Sequence, residues 1–138
     1  MWPIATLAIA AAAAAPDGGL TLEGQAFGPA QAMTCIWFSN FESSRFESCR
    51  AAGRSLLPRG ESASLRCRPG LCESLDARAR RAAHWRKREP VWGTFAVRLV
   101  GRVSRAAHEP RFLGDGTRTI LVEQLLGVAA RKAPVGGR

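Results

Sequence analysis

Tyrosine is absent from this chain of 138 residues, and histidine occurs only as His84 and His108. The first absence removes a phenol that can serve as an acid or a stacking surface. The second leaves two imidazoles for general-base or metal chemistry, and their separation does not suit a shared ion. No G-x-S-x-G, H-E-x-x-H, C-x-x-C or phosphate-cradling glycine loop is present, so the motifs of the common hydrolases, zinc peptidases, dithiol oxidoreductases and nucleotide-binding loops are missing. No apolar run reaches the roughly 20 residues that a membrane-crossing helix needs. No charged side chain occurs in residues 1–15.

That uncharged start reads MWPIATLAIAAAAAA and is broken by Pro16-Asp17-Gly18-Gly19. A short apolar core ending in small residues has the form of a secretory signal peptide, here without a positively charged leading stretch. Cleavage is expected after Ala14, since Pro16 directly after a cut would be unfavourable. The reading is therefore a signal peptide over 1–15, one domain over 16–128, and a basic, mobile tail over 129–138. Export to the periplasm or beyond places the cysteines where thiols oxidise.

The sequence has 20 basic and 11 acidic residues, a net charge of +9, and the excess lies wholly after residue 15. Such a balance attracts anionic surfaces, so an anionic component of the cell envelope is the expected partner and nucleic acid is not. An enrichment in arginine and alanine from GC-rich coding would give the same balance without any partner. The four cysteines, Cys35, Cys49, Cys67 and Cys72, read as two bridges. Cys35–Cys49 with Cys67–Cys72 is the preferred pairing, because each pair is near in sequence and fits a local feature. No cofactor and no metal are expected.

Residues 20–27 (LTLEGQAF) alternate around Gly24 and read as a bent strand. Residues 33–38 (MTCIWF) are β-rich, and 45–50 can return antiparallel. If Cys35 faces Cys49, Phe38 should lie opposite Phe46 and Trp37 opposite Glu47. Residues 51–60 read as irregular, and Pro69-Gly70 as a turn inside the second bridge. A helix follows, with Ser74 as N-cap, Asp76 in its first turn, Arg86, Lys87 and Arg88 in its last, and Glu89-Pro90 as its stop. Residues 91–103 give the cleanest period-two pattern, with Phe95, Val97, Leu99 and Val103 on one side. Residues 104–117 form a loop, and 119–126 a final strand.

Three strands, a helix and two strands make an α+β, mostly β order that resembles the OB-fold, a small five-stranded barrel whose helix lies between strands 3 and 4. The resemblance spans 20–126. Gly24 and Gly101 stand where closing a barrel would bend strands. The segment FSNFESSRFESC is similar to small exported bacterial proteins of unknown function. That likeness carries no activity with it, and the reading of the whole chain is a non-enzymatic binding or structural module.

The loop 104–117 is the first place to expect binding, with Arg105, His108, Arg111 and Phe112 offering cationic, polar and aromatic contacts. A sheet face presenting Trp37, Arg98 and Arg102 would suit an oligonucleotide, the second reading. A small hydrolase using His108 with Glu109 and Asp115 in one loop is the third. The helix carries Arg78, Arg80, Arg81, Arg86, Lys87 and Arg88 around Trp85, a solvated basic face that could also grip phosphates.

Overall fold

The computed structural model describes residues 13–131. The described elements run β1 (Ala13–Ala14), β2 (Leu20–Leu22), β3 (Gln25–Phe27), β4 (Gln31–Ser39), β5 (Ser44–Ala51), β6 (Arg54–Ser55), β7 (Ala63–Cys67), α1 (Leu71–Ala82), β8 (Gly93–Val103) and β9 (Arg118–Ala130). The chain is mostly β with one helix, as its patterning implies, but the strands are not the five expected. β1, β2 and β3 form a separate antiparallel sheet. The other six follow the order β4-β8-β9-β7-β5-β6, with β4 also paired to β5. This sheet is not closed as a barrel. β5 and β7 meet through the single pair Phe46↔Ala63, whereas β4 and β8 pair without interruption from Gln31↔Gly101 to Ser39↔Gly93.

The expected bent strand over 20–27 is instead a hairpin. Glu23 and Gly24 have φ of 49° and 78°, and Leu22 pairs with Gln25 across them. Two consecutive positive φ values make the two-residue turn whose twist matches its strands. The same geometry at Ala52-Gly53 gives β6, within a stretch expected to be irregular. The first hairpin seats Leu20 and Phe27 on Leu121, which explains why β9 is buried on consecutive residues from Thr119 to Val122. One side of that strand meets the main core, and the hairpin covers the other.

Cys35 pairs with Cys49 across β4 and β5 and is bridged to it. The register predicted from that bridge fails two residues on. A bulge between Ile36 and Trp37 places Phe46 opposite Trp37 and Arg45 opposite Phe38. The extra residue, Glu47, turns Phe46 inward to full burial, while the Arg45 guanidinium lies 5.4 Å from the Phe38 ring centroid.

The third strand of the main sheet is β7, which runs parallel to β9 from Ala63↔Arg118 to Cys67↔Val122. The sequence showed only a turn here. Cys67 is bridged to Cys72, and the Pro69-Gly70 turn leads straight into α1, so the helix starts at Leu71 with Gly70 as N-cap rather than after Ser74. It also stops sooner than Glu89. His84 has a φ of 52°, its amide donates to the Arg81 carbonyl, and the Trp85 amide donates to the Arg80 carbonyl. This is a left-handed helix stop with histidine where glycine is usual. Leu75 and Ala79 face the core.

β8 begins at Gly93 and buries Phe95, Val97 and Leu99. Gly101 lies at a register shift against β9, where a Cβ would come within 2.8 Å of the Leu121 carbonyl oxygen. β9 is longer than expected, and Ala129 and Ala130, assigned to the tail, pair with Ala96 and Phe95. Residues 132–138 of that tail and 1–12 of the proposed signal lie outside the described residues. Ala13 and Ala14 pair with Thr21 and Leu20.

Candidate functional site

His108 and Arg111 line an open groove of 630 Å³ with Glu23, Gln25, Arg66 and Glu109. The β2–β3 hairpin supplies one wall and the loop after β8 the other. Arg66 and Glu23 are joined across the groove at 2.6 Å. Their separation of 43 positions in sequence left no sequence signal for that pair or for Gln25.

The imidazole is held at both ring nitrogens. His108 Nδ1 lies 3.1 Å from the Glu109 carbonyl oxygen, which can only accept, so Nδ1 donates. Nε2 lies 3.0 Å from the Thr119 hydroxyl, which donates to it when that nitrogen carries no proton, and Thr119 Oγ1 accepts from Gln25 Nε2 at 3.2 Å. A hydroxyl donating to an oriented imidazole has the connectivity of a nucleophile and its base. Here Thr119 is only 3% exposed and does not line the groove, so no substrate carbon can reach its oxygen. The chain of bonds ties the loop to β9 and the hairpin.

Asp115 is likewise committed within the loop. Its carboxylate accepts from the Ser64 hydroxyl and from the amides of Arg111 at 2.9 Å and Gly116 at 3.1 Å. Burial pushes this carboxyl up, but those hydrogen bonds and the nearby charges of Arg111 and His108 outweigh it and hold it below the ordinary value. Among the described residues, no hydrogen bond joins His108 to the carboxylate of Glu109 or Asp115, so the expected trio is not assembled.

Nor are Trp37, Arg98 and Arg102 brought to one face. Trp37 is 4% exposed, 5.4 Å from Phe95 between ring centroids, and its indole donates to Ser44 Oγ at 2.9 Å. Arg98 sits one residue out of phase with the inward side chains of β8 and lies over Gly127. Arg102 Nε donates to Glu123 at 2.6 Å, and its Nη1 donates to the Gly18 carbonyl at 2.8 Å. Phe112, 65% exposed, lines a different cleft.

The cations around the loop after β8 are therefore already answered, Arg105 by Asp17, Arg111 by Asp115, Arg118 by Glu61, and Arg102 with Arg68 by Glu123, whereas Arg50, Arg54 and Arg98 of the strands are in no ion pair among the described residues. Burial raises the Glu123 carboxyl, yet its hydrogen bonds to Arg102 and Arg68 and their charges prevail and lower it below its ordinary 4.5. A carboxylate depressed in the folded state contributes stability that is complete above the unfolded value and is lost as pH falls through the folded one. Thermal stability is thus expected to decline as pH falls below 4.5. Glu123→Gln should be less stable at neutral pH and show a shallower acid slope, which calorimetry from neutral down to about pH 2 will read.

A different surface carries uncommitted charge. Arg78, Arg81, Arg86, Lys87 and Arg88 have no carboxylate partner among the described residues. Arg78 and Arg81 flank Val128 in one depression, and Arg81 and Arg86 line a second with His84 and Trp85. One side chain orders this region. Arg80 pairs with Asp76 at 2.7 Å and donates to the carbonyls of Lys87 at 2.7 Å and Glu89 at 2.9 Å. The Trp85 indole donates to the same Glu89 carbonyl at 3.1 Å, and the Lys87 ammonium lies 5.2 Å from the Trp85 ring centroid. The segment after the helix is folded back, and its three consecutive basic side chains are exposed. Among the described residues no group of histidine, cysteine and carboxylate side chains could hold a metal ion, and no helix is long and apolar enough to cross a membrane. Compared with known proteins, the chain matches no family model, no curated sequence and no solved structure.

Proposed function

We propose that this chain is an exported, non-enzymatic binding module that engages an anionic envelope partner through the basic surface at the C-terminal end of α1. The observation that carries this reading is the division of the cations. Those of the loop after β8 are neutralised by carboxylates, whereas Arg78, Arg81, Arg86, Lys87 and Arg88 are clustered without one. A cluster of like charge costs self-repulsion unless an anion relieves it. The two bridges, Cys35–Cys49 and Cys67–Cys72, support an oxidising compartment, periplasmic or extracellular.

The fold we infer is OB-like. Pairing runs β4, β5, β7, β9, β8 and back to β4, with β7 and β9 parallel and α1 between β7 and β8. The thin β5–β7 contact would be the open seam of a partly open barrel.

Retention on immobilised heparin, as a model polyanion, tests the function. The chain should bind at low salt and elute as ionic strength shortens the screening length below about 10 Å. Arg81→Glu with Arg86→Glu and Arg88→Glu should elute at much lower salt, while Arg105→Gln, which removes a cation already held by Asp17, should elute near the parent. Equal shifts for the two variants, or no retention of the parent, would refute the proposal.

A further inference from the structure

The second cleft has opposite chemistry to the basic surface. It holds 490 Å³ between the turn joining β4 to β5 and the loop joining β8 to β9. The two segments touch, since a Cβ on Gly114 would fall 3.0 Å from the Ser43 Cα. In a chain of net charge +9, none of the fourteen lining residues is basic. Phe41 and Phe112 line it, and both are largely exposed. Trp92 lies beside Phe41 with ring centroids 5.6 Å apart and an interplanar angle of 30°, which extends one aromatic platform to the surface.

The polar groups around these rings have unused capacity. Asn40 Oδ1 accepts from the amides of Glu42 at 2.8 Å and Ser43 at 2.6 Å, which fixes the turn and leaves the carboxamide nitrogen as a donor. Ser44 Oγ accepts the Trp37 indole proton, so its own hydroxyl proton is available. The Glu42 carboxylate has no cationic partner among the described residues, while that of Asp76 is answered by Arg80.

We propose that this cleft binds a neutral saccharide. A sugar ring offers a flat C–H face to an aromatic platform and a rim of hydroxyls that both donate and accept. Carboxylate, carboxamide and serine groups beside exposed rings match both faces, and the volume lies within the 300–1,000 Å³ range of small-ligand sites. Polyanions are disfavoured because the lining supplies no cation and one free carboxylate. A cationic peptide is disfavoured because the rest of the molecule repels it. The site is separate from the basic surface and stands whether or not heparin binds.

Saturation-transfer NMR and calorimetric titration with cellotriose, maltotriose and chitotriose test the idea. At least one should bind saturably. Phe41→Ala and Phe112→Ala, both at exposed positions that leave the core intact, should each weaken it about tenfold, equivalent to about 1.4 kcal/mol. The triple glutamate variant on α1 and its following segment should bind the sugar as the parent does. Absence of saturable binding by all three, unchanged affinity in both alanine variants, or concentration-dependent self-association of the free chain that Phe41→Ala abolishes would overturn the proposal. In the last case the rings would be a face for a second copy.

Discussion

Replacing Cys35 and Cys49 together by alanine is expected to lower stability by about 3 kcal/mol, the chain-entropy value for a loop of about 15 residues. The two positions are 14 apart in sequence and directly opposite one another in β4 and β5. Both are fully buried, so the variant also loses sulfur packing in the core, which places the figure at the low end of its range. Against a typical domain stability of 5–15 kcal/mol, that is a loss of roughly 10 °C in melting temperature at about 4 °C per kcal/mol. The companion bridge, Cys67–Cys72, spans 5 residues, and its removal should cost less by the same argument. Calorimetry of the two double variants checks the order. Comparison of non-reduced and reduced masses of the protein checks the premise, and four free thiols would defeat it.

Phe95→Ala should produce a loss of similar or greater size, about 3–5 kcal/mol for a large aromatic removed from a packed core. Phe95 lies near the start of β8, pairs with Trp37 on β4 and Ala130 on β9, and is 1% exposed. Its ring also covers Gly93, within 3.3 Å of where a Cβ would stand. The cavity would open in the core under β8, whose position is held by its ladders to β4 and β9 and cannot shift inward to fill it. Phe112→Ala removes the same atoms from an exposed loop and should stay within about 0.5 kcal/mol of the parent. Chemical denaturation of the two variants reads the contrast directly, and equal losses would show that the core has been placed on the wrong side of β8.

Much of the local structure was legible in the residues. The alternation from Phe95 to Leu99 announced a half-buried strand and its inward side, because a side-chain period of two has one cause. Pro69-Gly70 between two cysteines announced a turn closed by a bridge. The preferred pairing of the cysteines followed from proximity and holds in the structure. The hairpin at Glu23-Gly24 was misread as a bend, although a glycine at the second position of a two-residue loop was there to be seen. β7 carried no such signal. Its sequence, ASLRC, is a strand only because β9 lies parallel beside it.

The site was less legible than the fold. Arg102, Arg105 and Arg111 are arginines in a basic loop and strand, and composition alone presents them as ligands for an anion. Their partners, Glu123, Asp17 and Asp115, decide otherwise, and two of those three lie far away along the chain. Trp37 is expected on an outward face with Arg98 and Arg102, but it shares the inward side of β4 with Met33 and Cys35. The basic helix was visible from its composition. What could not be read was the Arg80 clamp that turns Arg86, Lys87 and Arg88 outward from one point.

The sequence by itself determined the charge of this protein and the inward face of its longest alternating strand, and it favoured one pairing of the cysteines, since each depends on residues that are neighbours or recur at a fixed step. Tertiary structure alone decided which arginines remain free, where the tryptophans stand and which loops meet to form a cleft. Those outcomes depend on groups brought together from distant parts of the chain, and free charge, burial and concavity are properties of the assembled surface.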